Sequence, residues 1–285
     1  ILDLLQDPKT EGRWQRKGLV VGHVQSGKTA NYTGLIGKAF DSGYKIVIVL
    51  AGLLNSLRKQ TQERGDEGIV GINSAIRFDD RLLEDKLIGV GKFDHEFTPV
   101  TITTVDSDFN RAYANQNQQM LQQYNDPVLF IIKKNVNVIK NVTDWLKANN
   151  FDLSKFPLLL IDDEADHATI NTRETHDPTT TNVRIRELLE IFPKNAYVGY
   201  TATPFANIFI NPETPEEMMN DLFPENFIKS LDPPSNYFGG QRIYVKDELN
   251  CVRYIDDYQD ILPIKHKIDE HPEILPHSLK KSIQN

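Results

Sequence analysis

Gly22 to Thr29 reads GHVQSGKT and satisfies the spacing G-x-x-x-x-G-K-[ST]. Gly22 and Gly27 lack a Cβ, so the backbone between them can turn tightly and bring its N–H groups against a polyphosphate at the electropositive start of a helix. Lys28 would then reach the β and γ phosphates, and the Thr29 hydroxyl is a hard oxygen ligand suited to Mg²⁺. The same letters arise by chance in a Gly-Lys turn. The apolar run Leu19, Val20, Val21 before the loop and a helix-forming segment after it supply the strand and helix that a phosphate loop requires.

A second constellation lies at Phe156 to His167, FPLLLIDDEADH. Leu158 to Ile161 reads as a fully buried strand ending in carboxylates, which cannot stay buried unless a metal or hydrogen bonds satisfy them. Asp163 is placed to hold a Mg²⁺ shell and Glu164 to orient or deprotonate an attacking water. An acidic surface turn is the plain alternative, and the upstream phosphate loop weighs against it. The third piece is AYVGYTATPFANIFI, Ala196 to Ile210. Here Thr201 and Thr203 end a strand, and hydroxyls there can bond to the carboxylates and relay whether a γ phosphate is present. By themselves two threonines and a proline signal only a turn.

These groups need a parallel sheet to bring them to one edge, and the rest of the chain supplies its elements. A helix is expected over Thr29 to Phe40 and a strand over Lys45 to Leu50. AGLLNSLRKQTQERG follows as a helix, with Leu53, Leu54 and Leu57 on one side and Arg58, Lys59, Gln60 and Arg64 on a solvated face. Residues 66 to 99 read as an insertion. Val100 to Thr104 alternates as a strand, Asp106 to Gln123 is helix-compatible, and Val128 to Ile132 is another strand. The next helix buries Val136, Ile139, Val142, Trp145 and Leu146. A polar loop spans Asn171 to Thr181, a helix Asn182 to Ile191 and a strand Tyr197 to Tyr200. Beyond Asn211 five prolines mark an irregular connection. Gln241 to Val245 suggests a short strand, and residues 255 to 285 look helical. Trp14 and Gln15 could hold an adenine base or pack on the sheet edge, with equal weight.

The length of 285 residues allows one large α/β domain and part of a second. The division expected is 1–240 and 241–285, the latter the start of a truncated domain, and Ile1 in first place suggests a fragment. The formal net charge of -8 excludes a basic coat and so non-specific nucleic-acid binding by the whole surface. A local groove with a few lysines and backbone amides stays open. The only cysteine, Cys251, excludes an internal disulfide. No apolar run approaches a membrane span. A reducing, cytoplasmic setting is expected.

GHVQSGKT, IDDEADH and YTATP, in that order, resemble motifs I, II and III of the first RecA-like domain of superfamily II helicases. LAGLLNSLRKQ is similar to motif Ia and TITT to motif Ib. A narrower likeness is to the helicase-like ATPase part of the Z1 domain family, bacterial proteins carrying an endonuclease label and linked to restriction-type defence. It rests on VVGHVQSGKTANYTGLIGKA, LLLIDDEADHATINT, NVRIRELLEIF and YVGYTATPFANIFI and covers roughly residues 15 to 245. The resemblance implies an α/β, RecA-like P-loop NTPase domain with a mainly parallel sheet, helices on both faces and an irregular C-terminal extension.

It also implies ATP and Mg²⁺ as cofactors. Gln25 and Ser26 join Gly22, Gly27, Lys28 and Thr29 in the loop signature. Lys28, Asp163 and Glu164 would be catalytic, Thr29 and Asp163 on the metal, and Asp166, His167, Thr201 and Thr203 the coupling set. Gly52, Asn55, Arg58, Thr103 and Thr104 would be the nucleic-acid candidates. Two departures stand out: the proline usual in motif Ia is Gly52, and no second RecA-like domain with an arginine finger lies within the sequence. The isolated piece is therefore expected to bind nucleotide better than it hydrolyses it.

The function implied is a nucleic-acid-dependent ATPase or translocase, DNA-directed and part of a restriction or phage-defence system. Its partners would be nucleic acid, a second RecA-like domain of the same protein and a defence-system protein, with no membrane. A nucleotide-gated interaction module that recruits a partner without strand movement is the alternative, favoured by the acidic charge and altered motif Ia. A small-molecule kinase is a third reading, disfavoured because kinases need a pocket and lid rather than coupling motifs. No nuclease site is visible: Glu84, Asp85 and Lys86, and His176 with Asp177, read as solvated surface.

Overall fold

The computed structural model describes residues 1–23, 27–75, 86–93, 99–116, 126–149, 152–167, 180–204, 221–248, 250, 252–258, 261 and 274–284. Its strands are β1 (Trp14–Val21), β2 (Ile46–Ala51), β3 (Val100–Thr101), β4 (Val128–Ile132), β5 (Leu158–Asp163), β6 (Lys194–Thr201) and β7 (Phe227–Ser230). The helices are α1 (Lys28–Ser42), α2 (Asn55–Gly65), α3 (Val136–Ala148), α4 (Thr180–Glu190) and α5 (His277–Gln284). All seven strands join one sheet in the order β3-β4-β2-β5-β6-β1-β7, and every pairing is parallel.

The apolar runs that read as strands are buried on both faces because each face carries its own core. In β2, Ile46, Ile48 and Leu50 point into a cluster with Ile139, Trp145, Ile185 and Leu188 of α3 and α4. The alternate residues Val47, Val49 and Ala51 pack with Tyr32, Leu35, Ile36 and Phe40 of α1. Helix α1 stops at Gly43, whose φ of 114° lets its N–H reach the carbonyls of Ala39 and Phe40. Helix α3 starts at Asn135, whose side chain accepts from the N–H groups of Asn137 and Val138.

The structure corrects several expectations. β1 begins at Trp14, and the Trp14 ring packs edge-on against Tyr44 at 6.0 Å, so it is spent on the sheet flank. β3 ends at Thr101 rather than Thr104 because the Thr103 hydroxyl, not a backbone carbonyl, accepts the Ile131 N–H at 2.9 Å. Asp66–Val70 is a π-helical turn continuing from α2, and Ile69 and Val70 belong to the core, so the expected insertion does not start at residue 66. Gln241–Val245 is a π-helical turn, not a strand. Residues 252–258 are not helical, and Leu53 and Leu54 are exposed ahead of α2. Lys86 is buried rather than solvated.

Glu84, Asp85, His176 and Asp177 lie outside the described residues, as do Cys251, 117–125, 168–179, 205–220 and 262–273. No helix among the described residues is long and apolar enough to cross a membrane.

Strand β7 has no counterpart in the sequence reading. It lies along β1 with Gly18 opposite Phe227, and the ring occupies the place a Gly18 Cβ would take, 2.0 Å from Cζ. Asn226 fixes the approach: its side-chain oxygen accepts the Lys17 N–H at 2.7 Å, and Lys17 Nζ meets Glu225 at 3.0 Å. Two compact units result, Ile1–Pro234 and Ser235–Asn285. In the second, the Arg242 guanidinium lies 3.9 Å over the Phe238 ring and bonds Glu248 at 2.5 Å. Gly18→Ala is expected to cost about 1–3 kcal/mol by overpacking. Urea unfolding should show that loss, and the Phe227→Ala background should remove most of it.

Candidate nucleotide-binding site

Register sets which residues meet. Val21 pairs with Thr201, Asp163 with Tyr200, and Ala51 with Asp163, so β1, β6, β5 and β2 end together at one edge of the sheet. Two backbone bonds tie the following turns to β6: Gly22 N–H to Thr201 O at 3.0 Å and Ala165 N–H to Tyr200 O at 2.9 Å. Gly27 holds φ 87° directly before α1, with open space where a Cβ would point. Lys28 begins the helix, and its ammonium donates to the carbonyls of Gly22 at 3.2 Å and His23 at 3.1 Å. Gln25 and Ser26 lie outside the described residues.

The acidic turn is organised by a residue the sequence reading missed. Lys134, two residues past β4, is 2% exposed and its Nζ lies 2.6 Å from Asp162 Oδ1. The same ammonium donates to the carbonyl oxygens of Asp163 at 2.8 Å, Glu164 at 2.7 Å and His167 at 3.2 Å. Asp162 Oδ2 accepts from the Tyr197 hydroxyl at 2.8 Å, and burial together with this carboxylate pushes the Tyr197 pKa up. Glu164 takes φ 53°, a left-handed conformation costing roughly 1–2 kcal/mol for a residue with a Cβ. Three carbonyls on one buried cation offset that strain.

The two acids assigned to chemistry face the cleft. Asp163 Oδ1 accepts the Glu164 N–H at 3.1 Å and Oδ2 the Tyr32 hydroxyl at 3.2 Å. Burial raises the Asp163 pKa, and the neighbouring Glu164 carboxylate adds to the rise while the Tyr32 hydrogen bond opposes it. The Asp166 carboxylate accepts from Thr201 Oγ1 at 2.8 Å and Thr203 Oγ1 at 2.5 Å, and the Thr203 N–H returns to Thr201 Oγ1 at 2.9 Å. Burial works against ionisation of Asp166, but those hydroxyls outweigh it and hold its pKa below the usual carboxylate value. His167 Nδ1 lies 3.4 Å from Glu164 and Nε2 3.7 Å from Asp166. The expected coupling set is therefore one connected cluster.

These side chains line an open cleft of about 1340 Å³ that includes Lys28, Thr29, Asp163, Glu164, Asp166 and Thr203. The donor set suits a magnesium-bound polyphosphate: an ammonium and a helix start for the anion, and a hydroxyl with one carboxylate for the cation. The proposed nucleic-acid residues divide. Arg58 is buried and donates to the carbonyls of Thr104 at 2.9 Å and Val105 at 2.7 Å. Thr103 is buried too, bonding Gln62 at 2.8 Å, so both side chains serve the fold and Arg58 is not on the solvated face expected. Thr104 Oγ1 accepts from the Ser107 N–H, and Asn55 is exposed at the start of α2. Gly52 has φ 65°, closed to proline, and its Cβ position lies 3.6 Å from Glu164 Oε2. The departure from motif Ia thus has a conformational reason, since this left-handed backbone excludes proline.

A strand, β6, separates the loop strand β1 from the acid strand β5 in an all-parallel sheet, an α/β arrangement that brings the loop and the acids to one edge. No family model matches the chain, and no curated protein matches it. Among solved structures it is similar to one described as an ATPase domain, at 11% identity and TM-score 0.33, over 81% of this chain and 72% of that one. A Drosophila ORC structure bound to AT-rich DNA and Cdc6 shows 10% identity and TM-score 0.22 over 83% and 66%. Both likenesses are distant.

Lys134→Met would leave Asp162 charged in the core without its cation, at a cost of about 3–5 kcal/mol. Adding Asp162→Asn should recover a large part of that loss. Urea unfolding of the two single variants and the double variant measures the coupling, and strictly additive losses would contradict it.

Proposed function

We propose that the chain is the ATP-binding and hydrolysing domain of a superfamily II-type, nucleic-acid-dependent motor. The observation carrying this reading is the meeting of Lys28 and Thr29, Asp163 and Glu164, and the Asp166–Thr201–Thr203 cluster at one sheet edge. Lys28 would exchange its two carbonyl partners for phosphate oxygens, and the first turn of α1 would present its N–H groups to the same anion. Thr29 and Asp163 would hold Mg²⁺, which when bound neutralises charge developing on the phosphates. Glu164 orients the attacking water and takes its proton. Asp166, His167, Thr201 and Thr203 would carry the state of the site to the surface.

A DNA target, a place in a bacterial restriction or phage-defence system and a cytoplasmic setting complete the proposal, all on the motif resemblance alone. A second RecA-like domain would follow a first one spanning about residues 1–240, and would supply the arginine finger. Asn55, Thr104 and the backbone of Gly52 are the nucleic-acid groups left to that proposal, since Arg58 and Thr103 are turned inward. That inward turn favours the second reading, a nucleotide-gated module that recruits a partner protein without moving along a strand.

The test is ATP hydrolysis by the full-length protein, with and without single- and double-stranded DNA. Magnesium-dependent turnover raised several-fold by DNA is expected, with Glu164→Gln reducing it about 10²–10⁴-fold. Turnover indifferent to DNA but raised by a partner protein selects the second reading. Turnover unchanged in Glu164→Gln contradicts both.

A further inference from the structure

Thr29 and Tyr32 stand three residues apart on α1, a spacing that sets both side chains on one face of the helix. The Tyr32 ring is buried, stacked edge-on against Tyr200 at 5.4 Å and 76°, so its hydroxyl has a single aim. That hydroxyl donates to Asp163 Oδ2 at 3.2 Å, and Thr29 and Asp163 line the same cleft. The other carboxylate oxygen, Oδ1, is held by the Glu164 N–H. Both oxygens of Asp163 are thereby oriented, and the phenol that holds one of them is carried by the same helix as the loop threonine. The sheet alone sets where Asp163 begins; Tyr32 sets how its carboxylate is turned.

We propose that Tyr32 is a positioning residue of the magnesium site, its hydroxyl fixing the Asp163 carboxylate beside Thr29. The proposal rests on the reading of Thr29 and Asp163 as metal ligands. Ligating carboxylates are themselves held by outer hydrogen bonds, and loss of such a partner typically costs about 10–100-fold in metal affinity. Tyr200 provides an internal comparison: its hydroxyl donates to Asn31 Oδ1 at 2.9 Å and not to an acid, although its ring shares the same stack.

The experiment is Mn²⁺ titration of the ADP-bound protein followed by electron paramagnetic resonance, in wild type, Tyr32→Phe and Tyr200→Phe. ADP affinity in EDTA and urea unfolding are measured alongside. Tyr32→Phe keeps the ring, and should weaken Mn²⁺ binding about tenfold or more while ADP binding in EDTA stays unchanged. Tyr200→Phe should leave Mn²⁺ affinity at the wild-type value. Mn²⁺ affinity equal in Tyr32→Phe and wild type overturns the proposal, as does a loss of ADP binding in EDTA, which would mark a structural role in the loop. Wild-type protein that binds ADP but no Mn²⁺ overturns the metal-site reading and the proposal with it. Wild-type protein that binds no ADP overturns the nucleotide reading itself.

Discussion

A single buried ammonium holds this edge of the molecule together. Lys134 is enclosed with Asp162 and spends its protons on that carboxylate and on the carbonyls of Asp163, Glu164 and His167. Burying either charge alone would be costly, so each requires the other, and Tyr197 closes the remaining oxygen of Asp162. The Lys134 backbone N–H donates to the Gly52 carbonyl, which extends the clamp to the end of β2. The left-handed backbone at Glu164 and the positive φ at Gly52 are thus stabilised from the same point, and the two residues face each other.

A second polar network does the same for α2. Asp66 accepts from Gln62 at 2.9 Å and from the N–H and hydroxyl of Ser74 at 2.8 and 2.6 Å. Gln62 in turn accepts from Thr103, and Ser74 Oγ accepts the Val105 N–H. Burial raises the Asp66 pKa, opposed by those hydrogen bonds. Together with Arg58 on Thr104 and Val105, this ties α2 to residues 101–105 as one piece beside the cleft.

The parts of the site legible in the sequence are those whose residue types admit few alternatives. The phosphate loop, the acids at the end of β5 and the threonines after β6 need particular side chains at fixed spacing, and their strands are unbroken apolar runs. Lys134 was not legible: KKN after a strand reads as a solvated turn, and only the fold shows that Asp162 is buried opposite it. β7 escaped because a four-residue strand, FIKS, with three of its residues exposed shows no buried alternation and depends on Gly18, over two hundred positions away, for its seat. Arg58 and Thr103 have the composition of a nucleic-acid contact, and long-range partners turn them inward.

The central claim is that this edge binds a magnesium-bound nucleotide through Lys28. Equilibrium binding of a fluorescent, non-hydrolysable ATP analogue with Mg²⁺, in wild type and Lys28→Ala, addresses it most directly. Saturable binding by wild type, weakened about tenfold or more in a variant with unchanged urea unfolding, is the predicted result. Absence of binding by wild type, or equal affinity in the variant, would contradict it.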